Sequence, residues 1–359
     1  MTPVILDSLA SLQELTADTI IDVRAPAEYA DDHLPGAINF PVLDDAQRAE
    51  VGTVYKQVSP FMARKKGAAL VAQNTATHLQ GPLANKDGAW QPLIYCWRGG
   101  QRSNAFATIL EQVGWRVQLL EGGYQSYRRE IVKALYDTPL PHRLMLISGS
   151  TGTAKTALLH QLAAQGAQTL DLEGIAAHRG SLFGSISSEQ PAQKMFESLI
   201  ASQLTSLNPA KITFVEAESS KIGERLIPPS LWASMTASPR IQVSSTLEAR
   251  SNFLCKAYAD LTHDKATLCD LISKLRPYHN GHQITQWLEQ VEAEEWNKLA
   301  LGLITHHYDP RYEKSTDLKR TAVHSTELSD LSDNTLALTA KALIKNFNYI
   351  LWCRYTRAY

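Results

Sequence analysis

The chain of 359 residues carries 35 Lys plus Arg against 36 Asp plus Glu, a formal net charge of −1; the length predicts more than one core, and the balance gives a nucleic-acid partner no support beyond a local basic surface. Its four cysteines, Cys96, Cys255, Cys269 and Cys353, lie far apart with no C-x-x-C pair, which argues against a zinc site or a disulfide framework and for a reducing compartment. No basic-then-apolar leader and no apolar run of about 18 residues occurs, so neither a signal peptide nor a membrane span is expected, and the expected location is cytoplasmic.

Thr19–Arg24 is patterned as a buried strand ending in charge, and Ala25–Tyr29 as a helix with Pro26 in its first turn. His33–Pro41 supplies a turn and a short strand. Residues 44–74 set Arg48, Lys56, Arg64, Lys65 and Lys66 among apolar positions, the pattern of helices with a basic face, and 75–90 are polar and expected to be a loop. The apolar run Pro92–Tyr95 predicts a buried strand, and Cys96-Trp97-Arg98-Gly99-Gly100-Gln101-Arg102 follows it directly, with Ser103 next. A thiol at a strand end, before two glycines and between arginines, is an arrangement for holding an anion against a nucleophilic sulfur. Successive N–H groups form a nest, and the guanidinium groups favour the reactive thiolate. A helix over about 103–113, a strand over 115–120 and a turn at Glu121-Gly122-Gly123-Tyr124 continue the alternation. Strands alternating with helices imply a parallel sheet with ligands at the carboxyl ends of its strands.

A second unit opens at Arg143–Ser148, a strand leading into Gly149-Ser150-Thr151-Gly152-Thr153-Ala154-Lys155-Thr156 and then an apolar helix. This is the G-x-x-x-x-G-K-[ST] phosphate loop in its strand–loop–helix context, with Ala154 at the second glycine. Backbone N–H groups and the helix N-terminus would wrap a diphosphate, Lys155 would add a positive charge, and Thr156 could reach a magnesium ion. If position 154 needs a positive φ, alanine costs on the order of 1 kcal/mol there. Nucleotide hydrolysis is then expected to be lost while pyrophosphate binding remains.

The strand Lys211–Glu218 ends in Glu216 and Glu218, which either serve a magnesium ion or a base function, or pair with Lys221 or Arg225. Before it come Asp171-Leu172-Glu173-Gly174 and His178-Arg179-Gly180-Ser181-Leu182-Phe183-Gly184, the latter a substrate loop or a plain surface loop. From about 246 the pattern is helical. His306-His307 lack metal-ligand spacing and suit a polar surface, and Cys255, Cys269 and Cys353 fit as small core residues. The last residues interleave Lys345, Arg354 and Arg357 with Phe347, Tyr349, Trp352 and Tyr355, as an RNA surface or a core-packed helix would. The expected division is 1–138, 139–245 and 246–359, the last packed on the second.

Asp22-Val23-Arg24-x-Pro26-x-Glu28-Tyr29, His33-x-Pro35-Gly36-Ala37-Ile38-Asn39, the Cys96 loop and Leu120-Glu121-Gly122-Gly123-Tyr124, in that order, resemble a rhodanese domain. The resemblance implies that Cys96 is the reactive cysteine, whose usual task is to carry a persulfide. Arg102 follows after five intervening residues, one more than in ordinary single-domain rhodaneses. The loop resembles that of the rhodanese-fold phosphatases and has room for a tetrahedral oxyanion. With the phosphate loop, Asp171–Gly174, His178–Ser181 and His307-Tyr308-Asp309-Pro310, the whole chain is similar to the bacterial tRNA 2-selenouridine synthase family. That implies a rhodanese-like parallel-sheet domain, a P-loop α/β domain and a helical C-terminal region. It also implies wobble-uridine modification in tRNAs for lysine, glutamate and glutamine. Geranyl diphosphate and selenophosphate would be the substrates, with no tightly bound cofactor. An ATP-dependent rhodanese-type tRNA sulfurtransferase and a nucleotide-sensing regulator are the alternatives.

Overall fold

The computed structural model describes residues 1–186, 188–217, 219–314 and 322–355; Glu218 and Arg357, and the side chains expected to matter from Tyr349 to Tyr355, lie outside what is described. The chain forms two compact units, the first made of Met1–Leu140 with Pro191–Ser206 and Pro228–Ser230, the second of the remainder.

In the first unit the strands are β1 (Thr2–Val4), β2 (Thr19–Asp22), β3 (Ile38–Asn39), β4 (Pro92–Tyr95) and β5 (Gln118–Leu120). They form one parallel sheet in the order β1-β5-β4-β2-β3. Its helices are α1 (Pro26–Asp31), α2 (Asp45–Gln57), α3 (Pro60–Gln80), α4 (Gln101–Val113) and α5 (Gly123–Val132). The edge strand β1 carries no pattern of its own and forms by pairing with β5. Asp44 caps α2 by accepting from the Gln47 amide at 2.7 Å, and Ser59 with Pro60 starts α3. The expected loop from 75 is instead the last turn and a half of α3, because no breaker occurs before Gly81. β4 is central and buried throughout, so Cys96 emerges where the strand order reverses, the place such sheets bind ligands.

Beneath that strand end lies a buried ion pair. Arg24 donates from Nε and Nη2 to the Asp22 carboxylate at 2.9 and 2.6 Å, and its guanidinium sits 4.1 Å from the centre of the Tyr124 ring. A buried charge pair left half-removed is costly, so this pair, the Asp-Val-Arg of the motif, holds β2 to the α5 end.

The second unit begins with β6 (Arg143–Ser148), α6 (Lys155–Ala164), β7 (Gln168–Leu170) and α7 (Leu172–Ala176). The next helix, α8 (Gln193–Ser206), belongs to the first unit although it lies after the phosphate loop in sequence. Its buried Glu197 accepts from Tyr136 Oη at 2.7 Å and pairs with Arg128, and Ser198 Oγ donates to the buried Asp32 at 3.0 Å. Tyr124 Oη donates to the same Asp32 oxygen at 2.7 Å, and burial pushes the Asp32 carboxyl above the usual carboxylate range.

After α8 come β8 (Ile212–Glu216), the hairpin β9 (Lys221–Ile222) and β10 (Arg225–Leu226), α9 (Pro229–Ala237) and β11 (Arg240–Ser245). Then follow α10 (Leu247–Ala257), α11 (Ala259–Thr262), α12 (Lys265–Ser273), α13 (Gly281–Glu292), α14 (Trp296–Leu303), α15 (Asp309–Lys314), β12 (His324–Leu328) and α16 (Asp333–Tyr355). The sheet is again parallel, in the order β12-β11-β6-β8-β7, with the phosphate-loop strand β6 at its centre. Phe214, Ile241, Leu158, Leu343 and Phe347 share one core around that sheet. Trp287, Ile272, Leu275 and Leu303 share another among the later helices. Phe347 is thus a core residue. Among the described residues no helix is long and apolar enough to cross a membrane.

Two expectations for this region are corrected. His307 is buried while His306 is exposed, because a π-turn over Ile304–Tyr308 aims His307 inward, where its Nδ1 lies 2.9 Å from both His279 Nε2 and Arg311 Nη1. Cys255 and Cys269 are half-buried rather than core residues, because each occupies the flank and not the inner face of its helix.

Burial first, then Arg311 and His279, pull the His307 imidazole down to about 4. Above about pH 6.5 the ring is neutral folded and unfolded. As pH falls from there toward 4 the unfolded chain gains a proton that the folded chain refuses, so stability drops across that window and levels off below it. Thermal melts at stepped pH should show this decline in the native protein and a shallower one in H307N.

Candidate functional site

Two loops, each at the carboxyl end of a central parallel strand, gather the chemistry. In the first unit Cys96 is buried, and its Sγ lies 3.3 Å from the Gly100 amide, which donates to it, and 3.2 Å from Ser103 Oγ. Ser103 Oγ also donates to the Gly100 carbonyl at 3.1 Å. The Cys96 cavity is lined by Trp97, Arg98, Gly100, Gln101, Arg102 and Arg48.

The loop keeps its shape because its carbonyls are tied down from outside. Tyr124 and Gln125 amides, in the first turn of α5, donate to the Cys96 and Trp97 carbonyls at 2.8 and 3.0 Å. Gly123 at φ +60° makes this approach feasible; a Cβ there would run into the Cys96 carbonyl oxygen and the Gly99 nitrogen. The Trp97 ring packs on Tyr124 at 5.2 Å, which rests on Arg24.

The arginines divide their work. Arg102 is held by Glu28 through Nη1 at 2.6 Å and Nη2 at 3.3 Å, and Arg48 stands 3.7 Å from the same carboxylate. Arg98 is turned toward Gln125 Oε1 at 3.2 Å. Burial would raise the Glu28 carboxyl, but Arg102 beside it, with smaller help from the Ala25 amide and Arg48, holds it below the usual range. Glu28 therefore stays ionised and steers two guanidinium groups at the rim. Arg48 escaped the sequence analysis as a site residue; the basic face of 44–74 was its only signal.

In the second unit Gly149–Thr156 joins β6 to α6. Ala154 has φ +58° and ψ +35°, at the cap of α6, and Gly152 has φ +84°. The strain expected of alanine at that position is present. Lys155 Nζ donates to the Gly149 carbonyl at 3.1 Å, and Thr153 Oγ1 to the Ser150 carbonyl at 2.9 Å. Arg250, buried on α10, donates from Nε and Nη2 to the Thr151 carbonyl at 2.9 and 2.8 Å, and is itself held by Asp309 at 2.6 and 3.0 Å. The Thr151–Gly152 peptide is planar and trans. Anchoring its carbonyl on Arg250 therefore fixes the direction of the Gly152 N–H on the opposite edge. Arg250 was missed as a site residue, since nothing local links it to a loop about a hundred residues earlier.

Around Thr156 stand carboxylates. Thr156 Oγ1 donates to Glu173 Oε2 at 3.2 Å, Asp171 caps α7 through the Gly174 amide at 2.8 Å, and Glu216 is buried with no partner for Oε1. Burial pushes the Glu216 carboxyl up, against the pull of Lys155 and Thr156. Lys221 pairs with Glu224 and not with Glu216 among the described residues, while Glu218 lies outside them. Among the described residues no three His, Cys, Asp or Glu side chains form a metal group. The free oxygen of Glu216 beside the Thr156 hydroxyl does fit a hard cation that shares its shell with a diphosphate. His178 and Arg179 lie elsewhere: Arg179 pairs with Asp260 at 3.0 Å over the Tyr258 ring, and burial pulls the His178 imidazole down.

Replacing Ala154 by glycine should remove the left-handed strain and raise stability by about 0.5–1 kcal/mol, after the larger unfolded-state entropy of glycine is subtracted; the denaturant midpoint checks this. Loss of the bidentate clamp in R250K should weaken inorganic pyrophosphate binding by about tenfold in calorimetry, the scale of one charge-assisted hydrogen bond.

A family model described as a tRNA 2-selenouridine synthase AAA domain matches residues 142–280, and one described as a rhodanese-like domain matches residues 6–130. Curated relatives carry the name tRNA 2-selenouridine synthase. One from Psychromonas ingrahamii is 34% identical over 69% of this chain and 67% of its own length. One from Nitrosomonas europaea is 36% identical over 70% and 66%, and one from Shewanella pealeana 32% identical over 84% and 89%. With the rhodanese loop, the phosphate loop and a likeness that covers 84% of the chain in the Shewanella relative, the chain belongs to the tRNA 2-selenouridine synthase family.

Proposed function

We propose that the protein converts 2-thiouridine at the wobble position of tRNAs for lysine, glutamate and glutamine into 2-selenouridine, in two steps at two cradles. In the first, the thiouridine sulfur attacks C1 of geranyl diphosphate, the C1–O bond breaks and pyrophosphate leaves. In the second, selenium from selenophosphate adds at C2 of the base, the C2–S bond breaks and geranylthiol leaves with a proton. Water takes the phosphoryl group from selenium.

The observation that carries this reading is a chain with two differently built anion cradles, one around a thiol and one around a lysine. The Gly149–Thr156 loop suits the leaving diphosphate. Its N–H groups, Lys155 and the α6 N-terminus stabilise charge that grows as the C–O bond breaks. A magnesium ion held by Thr156 and Glu216 would add charge neutralisation to the diphosphate. Strained Ala154 is tolerable here, because departure of pyrophosphate needs binding and charge but no positioned attacking water. The Cys96 cavity suits selenophosphate: Arg48, Arg98 and Arg102 attract the phosphate oxygens, and Sγ lies at the floor where the selenium atom would arrive.

Nucleoside mass analysis of thiolated tRNA incubated with geranyl diphosphate and selenophosphate tests the proposal; absence of both geranylated and selenated uridine would overturn it. C96A should retain geranylation and lose selenation by about a hundredfold, the scale of losing a group that orients the attacking selenophosphate. K155A should lose geranylation first, by about tenfold to a hundredfold.

A further inference from the structure

Within the second unit a cleft opens beside the phosphate loop, with Thr151 on its wall. Leu254 of α10 stands at this end: a Cβ on Gly152 would lie 3.1 Å from Leu254 Cγ. From there the cleft runs between α10, α12 and α14, past Cys255, Leu261 and Ala300, to Phe183, Leu268 and Leu303. These last three are buried members of the helical core, so the far end is closed.

Among the described residues no charged side chain lines the cleft. The hydroxyl of Tyr258 meets Ser181 at 3.3 Å, and that of Tyr308 is also engaged with Ser181. Thr151, Thr262 and Trp296 are the remaining polar members of the lining, too few to satisfy all the ring nitrogens and exocyclic groups of a purine, and each group left unsatisfied carries a desolvation penalty. A hydrocarbon chain meets no such penalty and gains from every apolar contact.

We propose that this cleft is the isoprenoid-chain subsite of the phosphate loop. A diphosphate in Gly149–Thr156 would extend its allylic chain past Thr151 and Leu254 into the space ending at Phe183, Leu268 and Leu303. The inference rests on the diphosphate reading of that loop and adds which residues receive the hydrocarbon chain beyond it. It also gives the His178–Gly184 segment a task, because Phe183 closes the cleft and Ser181 occupies the hydroxyls of its two tyrosines.

Cys255 is a natural reporter, being half-buried on the wall. In the unmodified full-length protein, the rate of Cys255 alkylation by N-ethylmaleimide, resolved by peptide mass spectrometry, should fall about tenfold or more under saturating geranyl diphosphate. It should stay unchanged under inorganic pyrophosphate or ATP. In calorimetry geranyl diphosphate should bind at least about tenfold more tightly than inorganic pyrophosphate, the worth of a few buried methylenes. A300F, which fills the cleft, should abolish that advantage while leaving pyrophosphate affinity at the native value, which also reports that the variant has folded. If geranyl diphosphate displaces pyrophosphate yet leaves Cys255 as reactive as before, the chain lies elsewhere and the inference falls while the diphosphate reading stands. If neither compound binds, both fall. If ATP protects Cys255 as well as geranyl diphosphate does, the cleft is a nucleoside site and the inference is overturned.

Discussion

A backbone loop can present its N–H groups to an anion only if its carbonyl groups are satisfied somewhere else. Both cradles of this protein are built around that requirement, and most of the surrounding structure serves it. In the first unit the Cys96 and Trp97 carbonyls are taken by the opening amides of α5. In the second the Thr151 carbonyl is taken by Arg250, and Arg250 by Asp309. The first solution uses a glycine pair to bring backbone against backbone; the second reaches from another helix with a buried guanidinium.

The two solutions differ in what they tolerate. Backbone-to-backbone support leaves no room for a Cβ at Gly123, so that turn and the Asp22–Arg24 pair below it form one rigid block. The guanidinium clamp holds its loop at the Thr151 carbonyl, and three residues further on the same loop carries alanine in a left-handed conformation at position 154. A P-loop that had to align a hydrolytic water would gain from the glycine there. One that holds a leaving pyrophosphate depends mainly on charge and N–H density, which Ala154 does not alter. The acids near Thr156 fit the same division, since Glu216 is buried beside Lys155 and not paired at the surface.

Much of both sites was legible before any coordinates. A short buried strand running into a Cys-x-x-Gly-Gly loop, and another running into Gly149–Thr156, are local patterns whose chemistry is set by neighbouring residues. Three things were not legible. Arg250 and Asp309 meet across some sixty positions of chain, and neither carries a local motif for the contact. Helix α8 follows the phosphate loop in sequence but packs with the first unit, through Glu197, Ser198 and Asp32; a linear boundary has no way to express that. His307 looked like one of a polar pair because two adjacent histidines carry no helical period that says which faces inward; neighbouring positions point about 100° apart on a helix, and here His307 is the inward one.

The sequence by itself determined the two anion loops, the parallel α/β class and the family, because each depends on residue types within a few positions of one another. Only the tertiary structure decided what supports each loop, which arginines line the Cys96 cavity and which apolar side chains form the cleft beside Thr151. Those depend on contacts between segments far apart in the chain, and an apolar residue such as Leu268 or Ala300 looks the same in sequence whether it fills a core or lines a cleft.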